Sequence, residues 1–230
     1  MSRLSVRRPS SLALLAGTLF GSVTAMAYEE PAYSVVDAFE EFEIRRYEPY
    51  IVAEATVNGD FESTGNLAFN ILAGYIFGDN QSQEKMKMTV PVTREAKGGT
   101  KMKMTAPVTR RSSSDGNERT TTYQFVMERK YSLDTLPLPT DPRVTLIEVP
   151  ERIVAARRYT GRINERNYQE NLDILLTELA AVGIQATSEP QSAVYNGPFI
   201  LPFLRRNEVL IDVDPLSIAV DATAAVATSP

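Results

Sequence analysis

No histidine, cysteine or tryptophan occurs anywhere in the 230 residues. Without cysteine there is no disulfide, no thiolate nucleophile and no iron–sulfur or zinc-thiolate site. Without histidine there is no imidazole for general-base catalysis, for a Ser-His-Asp triad or for metal ligation. Acid–base chemistry would fall to carboxylates, tyrosine and lysine, and no paired spacing singles any of them out. The chain is therefore read as a binding protein and not an enzyme. Positive charge is also in short supply, with 24 Lys and Arg against 29 Asp and Glu. Arg3, Arg7 and Arg8 fall in the first 27 residues with no acid, so the remainder carries 21 basic against 29 acidic residues. A body of that charge has no overall attraction for nucleic acid or an anionic lipid surface.

Long apolar runs are missing as well. Ser11–Phe20 is mostly apolar but shorter than the roughly 18–20 residues that cross a bilayer. With three arginines before it and Ala25-Met26-Ala27 after it, the stretch reads as a secretory signal over residues 1–27. The expectation is an exported chain, periplasmic or secreted, without a stable membrane anchor after cleavage. A chain free of cysteine suits an oxidising compartment. Residues 28–214 are expected to form one domain, and 215–230 a flexible tail with no strong pattern.

What is present alternates. Phe42 and Ile44, then Ile51, Ala53, Ala55 and Val57, fall at period two and predict strands around the turn at Glu48-Pro49. Ser63 or Thr64 can cap a helix that runs to Phe77 and stops at Gly78. The same grammar returns later. Val144 to Val149 and Ile153–Tyr159 read as strands, and Asn164–Val182 as a helix closed by Gly183. Ile51-Val52-Ala53 and Ile153-Val154-Ala155 stand 102 residues apart, which implies two related halves. Tyr123–Met127 and Glu208–Val213 are further strands. The second helix is amphipathic, with Tyr168, Leu172, Leu175, Leu179 and Val182 on one stripe. The first is apolar on more sides than a surface helix needs, leaving only Asn66, Asn70 and Gly74 polar. Either the chain's own loops or a ligand must cover the extra face.

Lys85-Met86-Lys87-Met88-Thr89-Val90-Pro91-Val92-Thr93-Arg94 recurs 16 residues later as Lys101 to Arg110, identical at nine of ten positions. Each copy reads as a strand with methionines on one face and lysines on the other. The copies either pair as a hairpin, or one is pushed out as a loop. Four clustered methionines also permit a thioether Cu(I) site, which the adjacent lysines oppose.

Glu43-Ile44-Arg45-Arg46-Tyr47, Ala68-Phe69 with Leu72 through Gly78, Met88-Thr89-Val90-Pro91-Val92, and Pro198-Phe199 through Leu204-Arg205-Arg206-Asn207-Glu208-Val209 occur in this order. In combination they resemble the SOUL, or haem-binding protein, family over about Tyr33 to Val213. The resemblance implies an α+β fold of two pseudo-symmetric β-α-β-β halves, forming a distorted antiparallel β-barrel flanked by two helices. It also implies non-covalent binding of haem or another porphyrin in an apolar cleft beside the first helix. On that reading Phe69, Leu72, Ala73 and Ile76 line the cleft from the helix. Met86, Met88, Met102 and Met104 would form a soft wall, with Phe199 and Phe203 opposite. Arg205 and Arg206 would meet the propionates, or else stabilise a turn through acids such as Glu43; Lys85, Lys87, Lys101 and Lys103 are further candidates. The chain departs from the family in having no histidine for iron, no cation on the first helix and two copies of the methionine segment. The alternative is a module of the same fold that binds another hydrophobic small molecule or a protein partner.

Overall fold

The computed structural model describes residues 29–59, 63–81, 99–115, 118–197 and 199–218. The fold is α+β. Its strands are β1 (Tyr33–Ala38), β2 (Glu43–Tyr47), β3 (Tyr50–Asn58), β4 (Asn80–Gln81), β5 (Val108–Asp115), β6 (Glu118–Val126), β7 (Leu138–Pro139), β8 (Thr145–Val149), β9 (Arg152–Tyr159), β10 (Gln191–Val194) and β11 (Asn207–Asp212). Helix α1 (Gly65–Phe77) follows β3 and helix α2 (Glu165–Ala181) follows β9. Nine strands form one strongly curled antiparallel sheet in the order β1-β2-β9-β11-β10-β5-β6-β3-β8, while β4 and β7 make a separate pair.

That order is the signature of the two halves. Apart from β1, it reads the same from either end once β2 is matched with β8, β9 with β3, β11 with β6 and β10 with β5. Ile51 lies opposite Glu148 and Arg46 opposite Ile153, and each pair is the other displaced by 102 residues. Each half therefore lends its first strand to the other. Behind the helices the displacement falls to 86, from Val126 to Asp212. The shortfall of 16 equals one period of the duplicated segment.

Alternation within strands divides the core. On β11, Val209 and Ile211 face α2, joining Tyr168, Leu172, Leu175 and Leu179. Leu210 points the other way, into a cluster with Tyr47, Val154, Ala156, Ala193 and Tyr195. In the first half Ala53, Ala55 and Val57 of β3 and Tyr123 and Phe125 of β6 receive α1. Alanine on β3 lets the helix approach closely.

Local signals place the helix ends. The Asn164 side chain accepts from the Asn167 N–H and caps α2. Thr64 stands at the start of α1, but its hydroxyl bonds Tyr123 Oη at 2.9 Å and does not cap the helix. At the other end Gly78 has φ 127° and its N–H returns to the Gly74 carbonyl. Gly99 packs so near the Gly78 carbonyl that an added Cβ would lie 1.7 Å from that oxygen. The C-terminal tail expected from residue 215 begins with a helical turn over 215–218, whose Ile218 packs against the α2 cluster.

Candidate ligand-binding site

The first helix divides its residues sharply. Ala68, Ile71, Leu72, Tyr75 and Ile76 are buried against β3 and β6, and the remaining inward side is closed by Met102, Leu136 and Val144. The Tyr75 hydroxyl donates to the Pro137 carbonyl at 2.8 Å. The inward part of the apolar girth noted in the sequence is thus covered by the chain's own loops, and Leu72, Ala73 and Ile76 are buried core residues. What stays outside is a narrower strip. Leu67, Phe69 and Phe77 are 51%, 44% and 55% exposed, with Asn66 and Asn70 between them. The Phe69 ring meets buried Phe125 edge-on at 5.5 Å, so it is held from below while its outer face is open.

The second methionine copy runs beside the end of this helix. Met102 N–H donates to the Ile76 carbonyl at 2.9 Å, and Thr105 Oγ1 donates to the Val126 carbonyl. Met102 is buried and Met104 partly buried, whereas Lys101 and Lys103 are exposed. The inside–outside alternation expected for the motif is present, although the sheet begins only at Val108. Both edges of β5 over Val108–Arg110 are occupied, by β6 and by β10. No hairpin of the two copies runs through that stretch. Met86, Met88, Lys85 and Lys87 lie outside the described residues.

Arg206 is engaged by two carboxylates and an aromatic ring. Its Nε donates to Glu208 at 3.0 Å, its Nη1 to both Glu30 oxygens at 3.0 Å, and its guanidinium covers the Tyr195 ring at 3.7 Å. Glu208, wholly buried, also accepts from Arg45 Nη1 at 2.8 Å, Arg45 Nη2 at 3.2 Å and Tyr195 Oη at 2.7 Å. Arg45 reaches Glu43 as well, at 2.8 Å. Two arginines and a phenol thus compensate one buried carboxylate, as a buried charge requires. Burial opposes the Arg45 charge, but the Glu208 hydrogen bonds and charge outweigh it and raise its pKa. Burial first, then the Glu208 charge, pushes the Tyr195 phenol well above its ordinary value. Arg206 makes ion pairs of the kind expected for a stabilised turn, with Glu208 and Glu30 as the acids. Arg205 donates from Nε to the Ile200 carbonyl at 2.7 Å.

Phe199 and Phe203 have no place in the cluster that holds α1. They are 97% and 68% exposed on a loop that includes a 3₁₀ turn at Pro202–Leu204. A different opening, which the sequence did not reveal, is a cleft of about 520 Å³ between the Glu30–Ala32 segment, the β3 start and the loop after β6. Ile51, Val126 and Met127 are apolar in its lining, which also carries Tyr50 and Tyr131. Glu30, Glu48, Glu128, Asp134 and Glu148 line it against one cation, Arg129.

Comparison with known proteins brings the motifs and the fold together. The model of the SOUL heme-binding protein family matches residues 28–99 and again 93–212, so each match contains one copy of the methionine segment. The chain belongs to the SOUL family. Heme-binding protein 2 of Mus musculus is 28% identical over 189 residues, 80% of this chain and 85% of the relative. Heme-binding protein 2 of Homo sapiens is 29% identical over 170 residues, 73% and 76% of the two chains. Among solved structures, the EcmrR C-terminal domain superposes with a TM-score of 0.50 at 13% identity, covering 79% of this SOUL protein and 98% of that chain. A protein from Listeria innocua described as a hydrolase gives 0.51 at 11%, covering 76% and 92%. Both likenesses establish the fold alone.

Proposed function

We propose that this SOUL protein is an exported, non-catalytic binder of haem or another tetrapyrrole, held without covalent attachment and without histidine. The observation that carries the reading is the outward strip of α1, where Leu67, Phe69 and Phe77 stand exposed on one helix of a haem-binding family member. Lys101 and Lys103 flank the end of α1, since Met102 between them bonds the carbonyl of Ile76. Neither forms an ion pair among the described residues, so both are open to propionates. The fit is to a flat apolar guest with acidic arms. With neither histidine nor cysteine, methionine and tyrosine are the iron ligands left, and apolar contact supplies the main hold on the porphyrin.

Titration with hemin, followed at the Soret band, should saturate at micromolar concentrations, and an iron-free porphyrin should bind about equally well. Phe69→Ala combined with Phe77→Ala should weaken both by about tenfold or more, from the apolar area lost. Absence of a saturable change with either ligand overturns the reading.

The cleft favours a second reading, a module of the same fold for another hydrophobic molecule. Glu30 and Glu128 of its lining are paired with Arg206 and Lys130, but Glu48, Asp134 and Glu148 still outnumber its one arginine. The balance disfavours propionates and suits an apolar guest that bears a positive charge, with Tyr50 and Tyr131 as aromatic contacts. Competition separates the two. A guest of the cleft survives the α1 substitutions and is lost in Glu48→Gln with Glu148→Gln.

A further inference from the structure

Five large apolar side chains stand in solvent within six consecutive residues. Phe199, Ile200, Leu201, Phe203 and Leu204 are 97%, 41%, 56%, 68% and 64% exposed. Soluble surfaces rarely gather so much apolar area at one place without a use for it. The sequence gives the loop stiffness through Pro202, and the fold anchors it. Gly161 N–H donates to the Pro202 carbonyl at 2.9 Å, and Arg206 N–H to Asn196 Oδ1 at 2.6 Å. Part of its own backbone is hydrogen-bonded within the protein. Ile200 N–H bonds the Gly197 carbonyl, Leu204 N–H the Leu201 carbonyl and Arg205 N–H the Pro202 carbonyl, while the Ile200 carbonyl accepts from Arg205 Nε. Proline at 202 has no N–H to satisfy. Each group bonded in this way costs less to bring towards an apolar medium, and the rest suit the hydrated interfacial layer.

The flanks fit the headgroup layer. Gly161, bonded to the loop, leads to Arg162 and Ile163, both exposed, and Arg162 has no ion pair among the described residues. Arg205 borders the other side. The patch is a projecting tip and not a groove, so a deformable partner accommodates it more readily than a rigid concave surface would. We propose that residues 199–204 insert into the interfacial layer of a phospholipid bilayer containing anionic lipid, with Arg162 and Arg205 at headgroup level, as a peripheral attachment. The average charge of the chain opposes such an encounter; the local distribution at this loop favours it. The inference is independent of the tetrapyrrole reading.

The absence of tryptophan makes the test direct. In the full-length chain, Phe199→Trp introduces the sole indole, reporting on this loop whatever else touches the membrane. With vesicles of equal parts phosphatidylcholine and phosphatidylglycerol, its emission should shift to the blue and be quenched by lipids brominated in their acyl chains. Phe199→Ser with Phe203→Ser should lower the vesicle partition coefficient by about tenfold or more. Arg162→Gln should lower it about fivefold on the anionic vesicles and not on pure phosphatidylcholine. Hemin titration of the serine variant should be unchanged, which separates failure here from failure of the tetrapyrrole reading. Emission unmoved by vesicles, whether or not the chain sediments with them, overturns the proposal. So does a blue shift without vesicles that rises with protein concentration alongside a dimer, because a second copy would then cover the loop.

Discussion

At the scale of single residues, Glu208 concentrates the consequences. It is wholly buried and bonded to Arg45, Arg206 and Tyr195. Glu208→Gln leaves two arginines short of their counter-charge and should cost about 3–5 kcal/mol in urea unfolding, as expected when one partner of a buried pair is removed. Arg206→Gln should lower stability while leaving hemin affinity unchanged, since Arg206 is spent on Glu208 and Glu30. Six tyrosines, among them Tyr195, Tyr47 and Tyr168, are raised above 10.0, with burial the first cause in each. Such a phenol keeps its proton in the fold after the unfolded chain has lost it. Its stabilisation is therefore complete below pH 10.0 and declines as pH rises through the folded value. Absorbance at a phenolate wavelength during alkaline titration should stay low and then jump together with the loss of circular dichroism. A gradual titration with circular dichroism intact would contradict the burial described. The acid–arginine character of this site was readable from Arg205 to Glu208, but not the partners, because Glu30 and Arg45 lie far away in sequence.

Helix α1 shows what an element adds to its residues. Leu72→Ala, deep between sheet and loops, should cost about 2–5 kcal/mol, whereas Phe77→Ala, outside, should stay within about 0.5 kcal/mol; chemical denaturation of both variants checks the contrast. If the two cost the same, the inward and outward faces have been assigned wrongly. Periodicity located α2 and its buried stripe, since one face is apolar and the other charged. It could not do so for α1, where nearly every position is apolar and the pattern carries no direction. Which part of that girth remains open was decided by Met102, Leu136 and Val144, contributed by loops whose positions no periodicity reports. β1 and β10 were also missed. β1 is exposed throughout and so lacks a buried face to impose alternation, and β10 is four residues long. Gly99→Ala should destabilise measurably because its Cβ would strike the backbone oxygen of Gly78.

For the molecule as a whole, the exchange of first strands between halves is the organising fact. β2 is seated on β9, and β8 on β3, so neither half keeps its sheet complete when alone. Urea unfolding should be a single transition, coincident by circular dichroism and tyrosine fluorescence. A fragment ending after β6 should be unfolded; a folded fragment would show the halves to be separate domains. Global charge is the least informative whole-molecule quantity here. A negative net charge coexists with a cleft rich in carboxylates at one place and with an apolar loop bordered by arginines at another.

From the sequence alone came the fold class, the two related halves, both helices and the family, together with the exclusion of cysteine and imidazole chemistry. These depend on local alternation, on residue types that are present or absent, and on motifs read in order. Tertiary structure alone decided that Leu72 and Ile76 are core, that Arg206 is neutralised by Glu208 and Glu30, and that Phe199 and Phe203 face solvent. Those outcomes turn on which distant segment arrives to cover a side chain or meet a charge, and that is a property of the assembled sheet, not of any window along the chain.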